Sequence, residues 1–141
     1  MIEQYPKQYL YRRIVRAKLF IDEHFSQPID LRNVSGEACF SRFHFARLFR
    51  DIYGMTPHRY LTSVRIDKAR DLLENGASVK KACYAVGFDS VASFTALFKR
   101  RLGLTPAAYQ RVRQERSHAI ALAPLRHIPN CFAEKKGWIE K

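Results

Sequence analysis

The chain has 141 residues, of which 25 are Lys or Arg and 13 are Asp or Glu, and its formal net charge is +12. This excess favours a polyanionic partner, and nucleic acid is the commonest one for a compact basic domain. The hydrophobic share of 47% is ordinary for a globular protein and excludes a disordered basic tail. No apolar run approaches the ~18 residues of a membrane span, and no signal segment opens the sequence. We therefore expect a cytoplasmic protein without a membrane partner.

The first predicted element is a helix from about Gln8 to Phe25, which Pro28 closes. Its apolar residues recur at roughly helical spacing; they are Leu10, Ile14, Ala17, Phe20 or Ile21, and Phe25. One face of this helix should therefore pack on the element that follows it.

Two helices joined by a tight turn are predicted next. Asp30 can cap a short helix that reaches Ala38, and Ser41 can cap a second helix that ends at Tyr53. Gly54 then supplies the left-handed residue that ends a helix. A short helix, a tight turn and a second helix with Ser at its N-cap make a helix-turn-helix, whose second helix can enter the DNA major groove.

A long linker helix follows. Thr56 and Pro57 start it with a hydroxyl N-cap and a proline at the first helical position, and it runs to about Glu74. Roughly 18 residues give a length of about 27 Å, and neighbouring major-groove faces lie about 34 Å apart. One linker of this length could place two recognition helices near one turn of DNA apart.

The remaining elements repeat the first set. Ser78 and Ser90 can each cap a helix, with a turn at Gly87 between them. The second of these helices ends at Gly103, and a last helix starts at Pro106. No stretch alternates at period two, so we expect an all-α fold of about seven helices with two helix-turn-helix subdomains.

The two halves match at a shift of 49 residues, and both copies end in Gly-x-Thr-Pro-x-x-Tyr. Ser41, Phe45, Leu48, Phe49, Arg50, Gly54, Thr56, Pro57 and Tyr60 match Ser90, Phe94, Leu97, Phe98, Lys99, Gly103, Thr105, Pro106 and Tyr109 in turn. Self-similarity at a fixed period means that one supersecondary unit is used twice. The function should therefore need two similar surfaces.

The second helix of the first copy carries two stripes. Phe45, Leu48, Phe49 and Ile52 form the stripe expected to pack inward, and Phe43, Ala46, Arg47 and Arg50 form the stripe expected to face out. An exposed aromatic residue and two arginines are unfavourable in plain solvent but useful against base edges and phosphates.

In the second copy the residues expected inside are Phe94, Leu97, Phe98 and Leu102, and those expected outside are Ala92, Thr95, Ala96 and Lys99. Ala96 stands where the first copy has Arg47. Arginine can hold guanine through two hydrogen bonds, worth about 1–3 kcal/mol of discrimination, whereas alanine contacts at most a thymine methyl. We therefore expect the first copy to read sequence more sharply, on an asymmetric site bound by a monomer.

These residues closely resemble the DNA-binding domain of the AraC/XylS family of transcription regulators, from about Ala17 to Arg113. The motifs that carry the resemblance are Phe40 to Phe49, Val86 to Phe94, Phe98-Lys99-Arg100, and Gly103 to Tyr109. The resemblance implies an all-helical transcription factor with double-stranded DNA as its partner and RNA polymerase as a candidate second partner. The chain looks like a small stand-alone member or the end of a larger regulator, with no domain for a small-molecule effector.

The resemblance also implies which residues touch DNA. The positions that meet bases are Arg42, Phe43, Ala46 and Arg47 in the first recognition helix, and Val91, Ala92, Ser93, Thr95 and Ala96 in the second. Contacts to the DNA backbone are expected from Ser41, His44, Arg50, Ser90, Lys99 and Arg100. Gln110 stands where arginine often follows the tyrosine, so no phosphate contact is assigned to it.

The predicted organisation has four parts. An opening helix and the first helix-turn-helix take residues 1–55, the linker helix 56–75, the second helix-turn-helix and a closing helix 76–116, and a tail 117–141. The tail, with Pro124, Pro129 and Trp138, is too apolar for a free linker and too broken by proline for one helix. It has no assigned role.

Three other functions compete with a sequence-specific regulator. The charge would suit a non-specific architectural DNA protein, but two shaped recognition helices argue against it. An enzyme such as a DNA-repair transferase would need a cysteine beside a base, and Cys39, Cys83 and Cys131 show no such motif. The cysteines lack CxxC and the histidines lack ligand spacing, so no metal site or other cofactor is predicted. A membrane-binding role is the least favoured of the three alternatives.

Overall fold

A computed structural model describes residues 4–30, 42–122 and 135–137. Six α-helices occur there: α1 (Gln4–His24), α2 (Arg42–Tyr53), α3 (Pro57–Glu74), α4 (Val79–Ala85), α5 (Val91–Leu102) and α6 (Pro106–Leu122). These described ranges contain no strand, so the predicted all-helical class is confirmed. Six helices are close to the expected seven, and the short helix predicted to reach Ala38 lies outside the described residues.

Two helices extend beyond their predicted ends. α1 begins at Gln4 rather than near Gln8, because Pro6 falls in the first turn, where a missing N–H leaves no helical hydrogen bond unmade. α6 continues past residue 116 and ends at Leu122. The sequence has no proline between Pro106 and Pro124, so no helix-breaking residue ends the helix at residue 116.

The glycine, threonine and proline of the repeated motif have the same structural roles in both copies. Gly54 and Gly103 have φ values of +78° and +81° and follow α2 and α5. Thr56 and Thr105 each accept a backbone N–H from the next helix, at 3.3 and 3.2 Å. Proline follows as the first residue of α3 and of α6. The predicted helix ends and starts are therefore confirmed at both positions.

The tyrosine of each motif joins its helix to the helix that precedes the unit. Tyr60 donates its hydroxyl proton to Asp22 on α1 at 2.5 Å, and Tyr109 donates to Glu74 on α3. Each ring also lies edge-on against a core phenylalanine, with centroids 5.7 and 5.5 Å apart. Burial, and then the Asp22 hydrogen bond, raises the pKa of Tyr60 to about 12, so its hydroxyl remains a donor at neutral pH. α1 thus supports the first copy as α3 supports the second.

Two hydrophobic clusters form the core. The first contains Ile14, Ala17, Ile21, Phe45, Phe49 and Leu61. The second contains Ile66, Ala69, Leu73, Ala82, Cys83, Val86, Phe94, Phe98 and Tyr109. α3 contributes residues to both clusters, and Phe25, just after α1, also packs against both. The two halves therefore share the linker helix and the segment that follows α1.

One core position differs from the pattern-based expectation, and the structure decides between two residues at another. Ile52 was expected to face inward, and this prediction is wrong, since the residue is 40% exposed. Tyr53 takes the inward position instead, because its ring centroid lies 4.8 Å from that of Phe49. Of the alternatives Phe20 and Ile21, Ile21 is fully buried and Phe20 is 40% exposed. Neighbouring apolar residues lie only about 100° apart on a helix, so periodicity alone did not separate them.

Gln110, which stands where arginine often follows the tyrosine of the motif, has a structural role. Its Nε2 donates to the carbonyl oxygens of Leu73 at 2.9 Å and Ala77 at 2.7 Å, where the chain turns from α3 towards α4. Replacing Gln110 by leucine should lower the free energy of unfolding by about 1–2 kcal/mol, because two carbonyl groups each lose one donor and that of Leu73 keeps only the Gly76 N–H, at 3.2 Å.

Urea denaturation followed by circular dichroism measures this change. Gln114→Leu, on the exposed part of α6, is the matched control because Gln114 makes no such bonds within the described residues. Equal losses in the two variants would show that the Gln110 hydrogen bonds do not stabilise the fold.

Candidate nucleic-acid interface

The second helix-turn-helix is described in full. The hydroxyl oxygens of Ser78 and Ser90 each accept the backbone N–H of the residue three positions later, at 3.2 and 3.3 Å. Gly87 lies between the two helices with a φ of +99°. The N–H of Phe88 donates to the carbonyl of Cys83 at 3.1 Å and closes the turn. The predicted helix-turn-helix is therefore present, with the predicted caps.

The outer side of α5 carries the residues predicted to reach DNA. Ala92, Ser93, Ala96, Lys99 and Arg100 are exposed, and Ser90, Val91 and Thr95 are half-buried. Val91 also packs against the second core cluster. Phe94 and Phe98 are fully buried on the opposite side, as expected. Small side chains at positions 92, 93 and 96 leave the helix backbone free to approach a flat partner closely.

α2 presents the corresponding side of the first copy. Phe43, His44, Arg47 and Arg50 are exposed, and Ala46 is half-buried. Phe43, at 67% exposure, is far more accessible than the buried Phe45 two residues later. α2 begins at Arg42, and the predicted cap Ser41 lies outside the described residues. Apart from Ile52, the inward and outward faces of α2 agree with the prediction.

The structure divides the basic side chains into two groups. Arg101 is held by Asp67 at 3.4 Å, and Arg113 lies 3.5 Å from Glu74. In contrast, no carboxylate, carbonyl or ring of the described residues holds the side chains of Arg47, Arg50, Lys99 and Arg100. Cations without a protein partner keep their full charge available to an anion. These four residues, all predicted to contact DNA, therefore belong to the group without a partner among the described residues.

Two further exposed cations were missed by the sequence reasoning. Lys80 and Lys81 lie on α4, the first helix of the second motif, and both are exposed. In helix-turn-helix proteins the first helix crosses the DNA backbone, so these two lysines are further candidates for phosphate contacts. The signal was present in the sequence as a basic pair two and three residues after the Ser78 cap.

The surroundings of Cys83 bear on the alternative of an enzyme with a cysteine nucleophile. Cys83 is fully buried, and burial, followed by the charge of Asp89, raises the pKa of its thiol. A protonated, buried thiol is a poor nucleophile. The described residues hold no group of three or more His, Cys, Asp or Glu side chains placed to bind a metal ion. None of the described helices has the length and hydropathy needed to cross a membrane.

Comparison with known proteins gives a consistent result. A family profile described as "Helix-turn-helix domain" matches residues 34–112. The MmsAB operon regulatory protein of Pseudomonas aeruginosa is 35% identical over 97 residues, which cover 67% of this chain and 32% of that protein. The chain therefore spans about a third of the length of the curated relatives that it matches.

Solved structures show the same fold. The C-terminal domain of AraT, a response regulator from Geobacillus stearothermophilus, has a TM-score of 0.66 at 28% identity, covering 71% of this chain and 84% of that one. The DNA-binding domain of the global transcriptional factor AdpA, solved in complex with a target DNA, has a TM-score of 0.65 at 29% identity, covering 79% of this chain and 96% of that one. The chain belongs to the AraC/XylS family of helix-turn-helix DNA-binding domains.

Proposed function

We propose that this chain is a sequence-specific DNA-binding transcription regulator, with α2 and α5 as two recognition helices in successive major-groove faces of an asymmetric promoter site. The main support is that each helix buries one face and exposes another, and that Arg47 and Arg50 of α2 and Lys99 and Arg100 of α5 have no partner among the described residues. Contact with RNA polymerase and association with the nucleoid in the cytoplasm are part of the same proposal.

The two faces divide the contacts between bases and phosphates. We assign base contacts to Arg42, Phe43, Ala46, Arg47, Val91, Ala92, Ser93, Thr95 and Ala96, and phosphate contacts to Ser41, His44, Arg50, Ser90, Lys99 and Arg100. α3 has 18 residues, so it is about 27 Å long. This length is compatible with recognition helices spaced near one turn of DNA, about 34 Å.

The proposal can be tested by selecting bound duplexes from a random library at physiological salt. Duplexes of about 24 base pairs are long enough for two half-sites one turn apart. The expected product is a non-palindromic motif in two blocks, with block centres about one helical turn apart. Enrichment of no motif, with affinity determined by salt alone, would instead indicate a non-specific architectural protein.

Replacing Lys99 by alanine should weaken binding to all DNA sequences alike. One phosphate contact is lost, so the slope of log K against log salt should fall by about one unit. Arg101→Ala is the matched control on the same helix, because Asp67 already holds that side chain. Titrations at four salt concentrations measure both slopes. Loss of discrimination between sequences in Lys99→Ala would contradict its assignment as a phosphate contact.

A further inference from the structure

The segment that follows α1 lies between the two halves of the molecule. Phe25 packs against both core clusters. A Cβ atom at Gly87, in the turn of the second motif, would lie 3.0 Å from the carbonyl oxygens of both Phe25 and Ser26. The segment after α1 therefore contacts the turn that leads into α5, whereas α1 itself was predicted to pack on the first motif.

Arg65 of α3 connects the parts of this junction. Its Nε donates to the carbonyl oxygen of Phe25 at 2.7 Å, and its Nη2 donates to that of Gln27 at 3.0 Å. Its guanidinium carbon also lies 5.8 Å from the ring centroid of Phe88, which belongs to the turn of the second motif. One planar group thus contacts the segment after α1 on one side and the second motif on the other.

A continuous α3 determines how far apart the two motifs are, but other contacts must determine how each motif is rotated on its part of that helix. The donors of a guanidinium lie in a rigid plane, so two hydrogen bonds and a ring contact restrict both translation and rotation. No other described side chain combines hydrogen bonds to the segment after α1 with a ring contact to the second motif.

We propose that Arg65 is a positioning residue that determines the relative orientation of α2 and α5, and thereby the spacing between half-sites that the protein accepts. This inference rests on the proposed function, because it requires two helices that read DNA. Arg65 touches no base in this scheme and acts through two carbonyl groups and one ring.

DNA makes this orientation measurable. One extra base pair between half-sites moves the second half-site by about 3.4 Å and rotates it by about 34°. A rigid protein can follow only if the DNA is twisted or bent, which costs free energy. A protein whose halves are less firmly held would accept the altered spacing at a smaller cost.

The test uses duplexes that carry both selected half-sites with the optimal spacer, with one base pair added or removed, and with either half-site alone. Arg65→Met keeps the length of the side chain but removes its donors, and Arg65→Lys keeps the charge but removes the planar fork. Lys68→Met is the matched control, since Lys68 is an exposed cation on the same helix. Thermal unfolding of each variant accompanies the titrations.

For the unaltered protein, one added base pair should weaken binding about tenfold or more, because the DNA must be deformed. In Arg65→Met this penalty should fall to about threefold or less, while affinity for each isolated half-site stays unchanged. The penalty in Arg65→Lys should lie between those of the unaltered protein and Arg65→Met. If Arg65→Met does not fold, Arg65→Lys tests the same expectation. Lys68→Met should keep the spacing dependence of the unaltered protein.

An unchanged spacing profile in both Arg65 variants would overturn the proposal, as would an equal loss of affinity for every spacing and half-site. In either case the two-block site of the unaltered protein would remain, so the proposed function would stand. Absence of any spacing dependence in the unaltered protein would overturn both the two-helix arrangement and the role of Arg65.

Discussion

Replacing Gly87 by alanine is expected to lower the free energy of unfolding by about 2–4 kcal/mol, from two separate causes. The φ of +99° at this residue is unfavourable for any side chain with a Cβ atom. The new Cβ would also lie 3.0 Å from the carbonyl oxygens of Phe25 and Ser26. Because both neighbours are backbone atoms, the segment after α1 would have to move as a whole.

Gly76→Ala separates these two causes. Gly76 has a similar φ of +93°, but nothing lies within 4 Å of the position that its Cβ would take. Only the backbone cost of about 1–2 kcal/mol should therefore appear. Urea unfolding of both variants measures the difference. Equal losses would show that the close approach between Gly87 and the segment after α1 is not a tight contact in solution.

Local chemistry made most of the fold predictable from the sequence. Thr56 before Pro57 marks a helix start, Ser90 supplies an N-cap, and Gly103 ends a helix, and each of these features acts over neighbouring residues. The inward stripes of α2 and α5 were predictable for the same reason, since helical periodicity is local. The choice between Ile52 and Tyr53 was not, because it depends on the ring of Tyr60, which packs against Tyr53 from α3.

The availability of each cation depends on contacts that are distant in the chain. Arg100 and Arg101 are adjacent, yet Asp67, 34 residues before Arg101, holds only the second of them. The role of Arg65 depends in the same way on carbonyl groups 38 and 40 residues earlier. No spacing rule connects such residues, so the sequence predicted a basic surface without showing which cations are structural.

The Arg47→Ala variant should bind the selected DNA more weakly by about 1–3 kcal/mol and lose discrimination at one or two base pairs. Arg47 is exposed on α2, and none of the described residues holds its guanidinium group. A bidentate arginine prefers guanine because O6 and N7 accept its two parallel N–H groups, and alanine offers neither donor. Ala96 holds the equivalent position in α5, so the effect should be confined to the half-site that α2 contacts.

The measurement is the dissociation constant for the selected duplex and for each single-base variant of it, at one fixed salt concentration. In Arg47→Ala the penalties should become small at the positions that Arg47 reads and stay unchanged in the other half-site. Lys99→Ala should keep every penalty while weakening all the duplexes equally, because a phosphate contact carries no sequence information. If the two variants behaved alike, Arg47 would be a phosphate contact, and the sharper reading assigned to the first copy would have to come from Phe43 or Arg42.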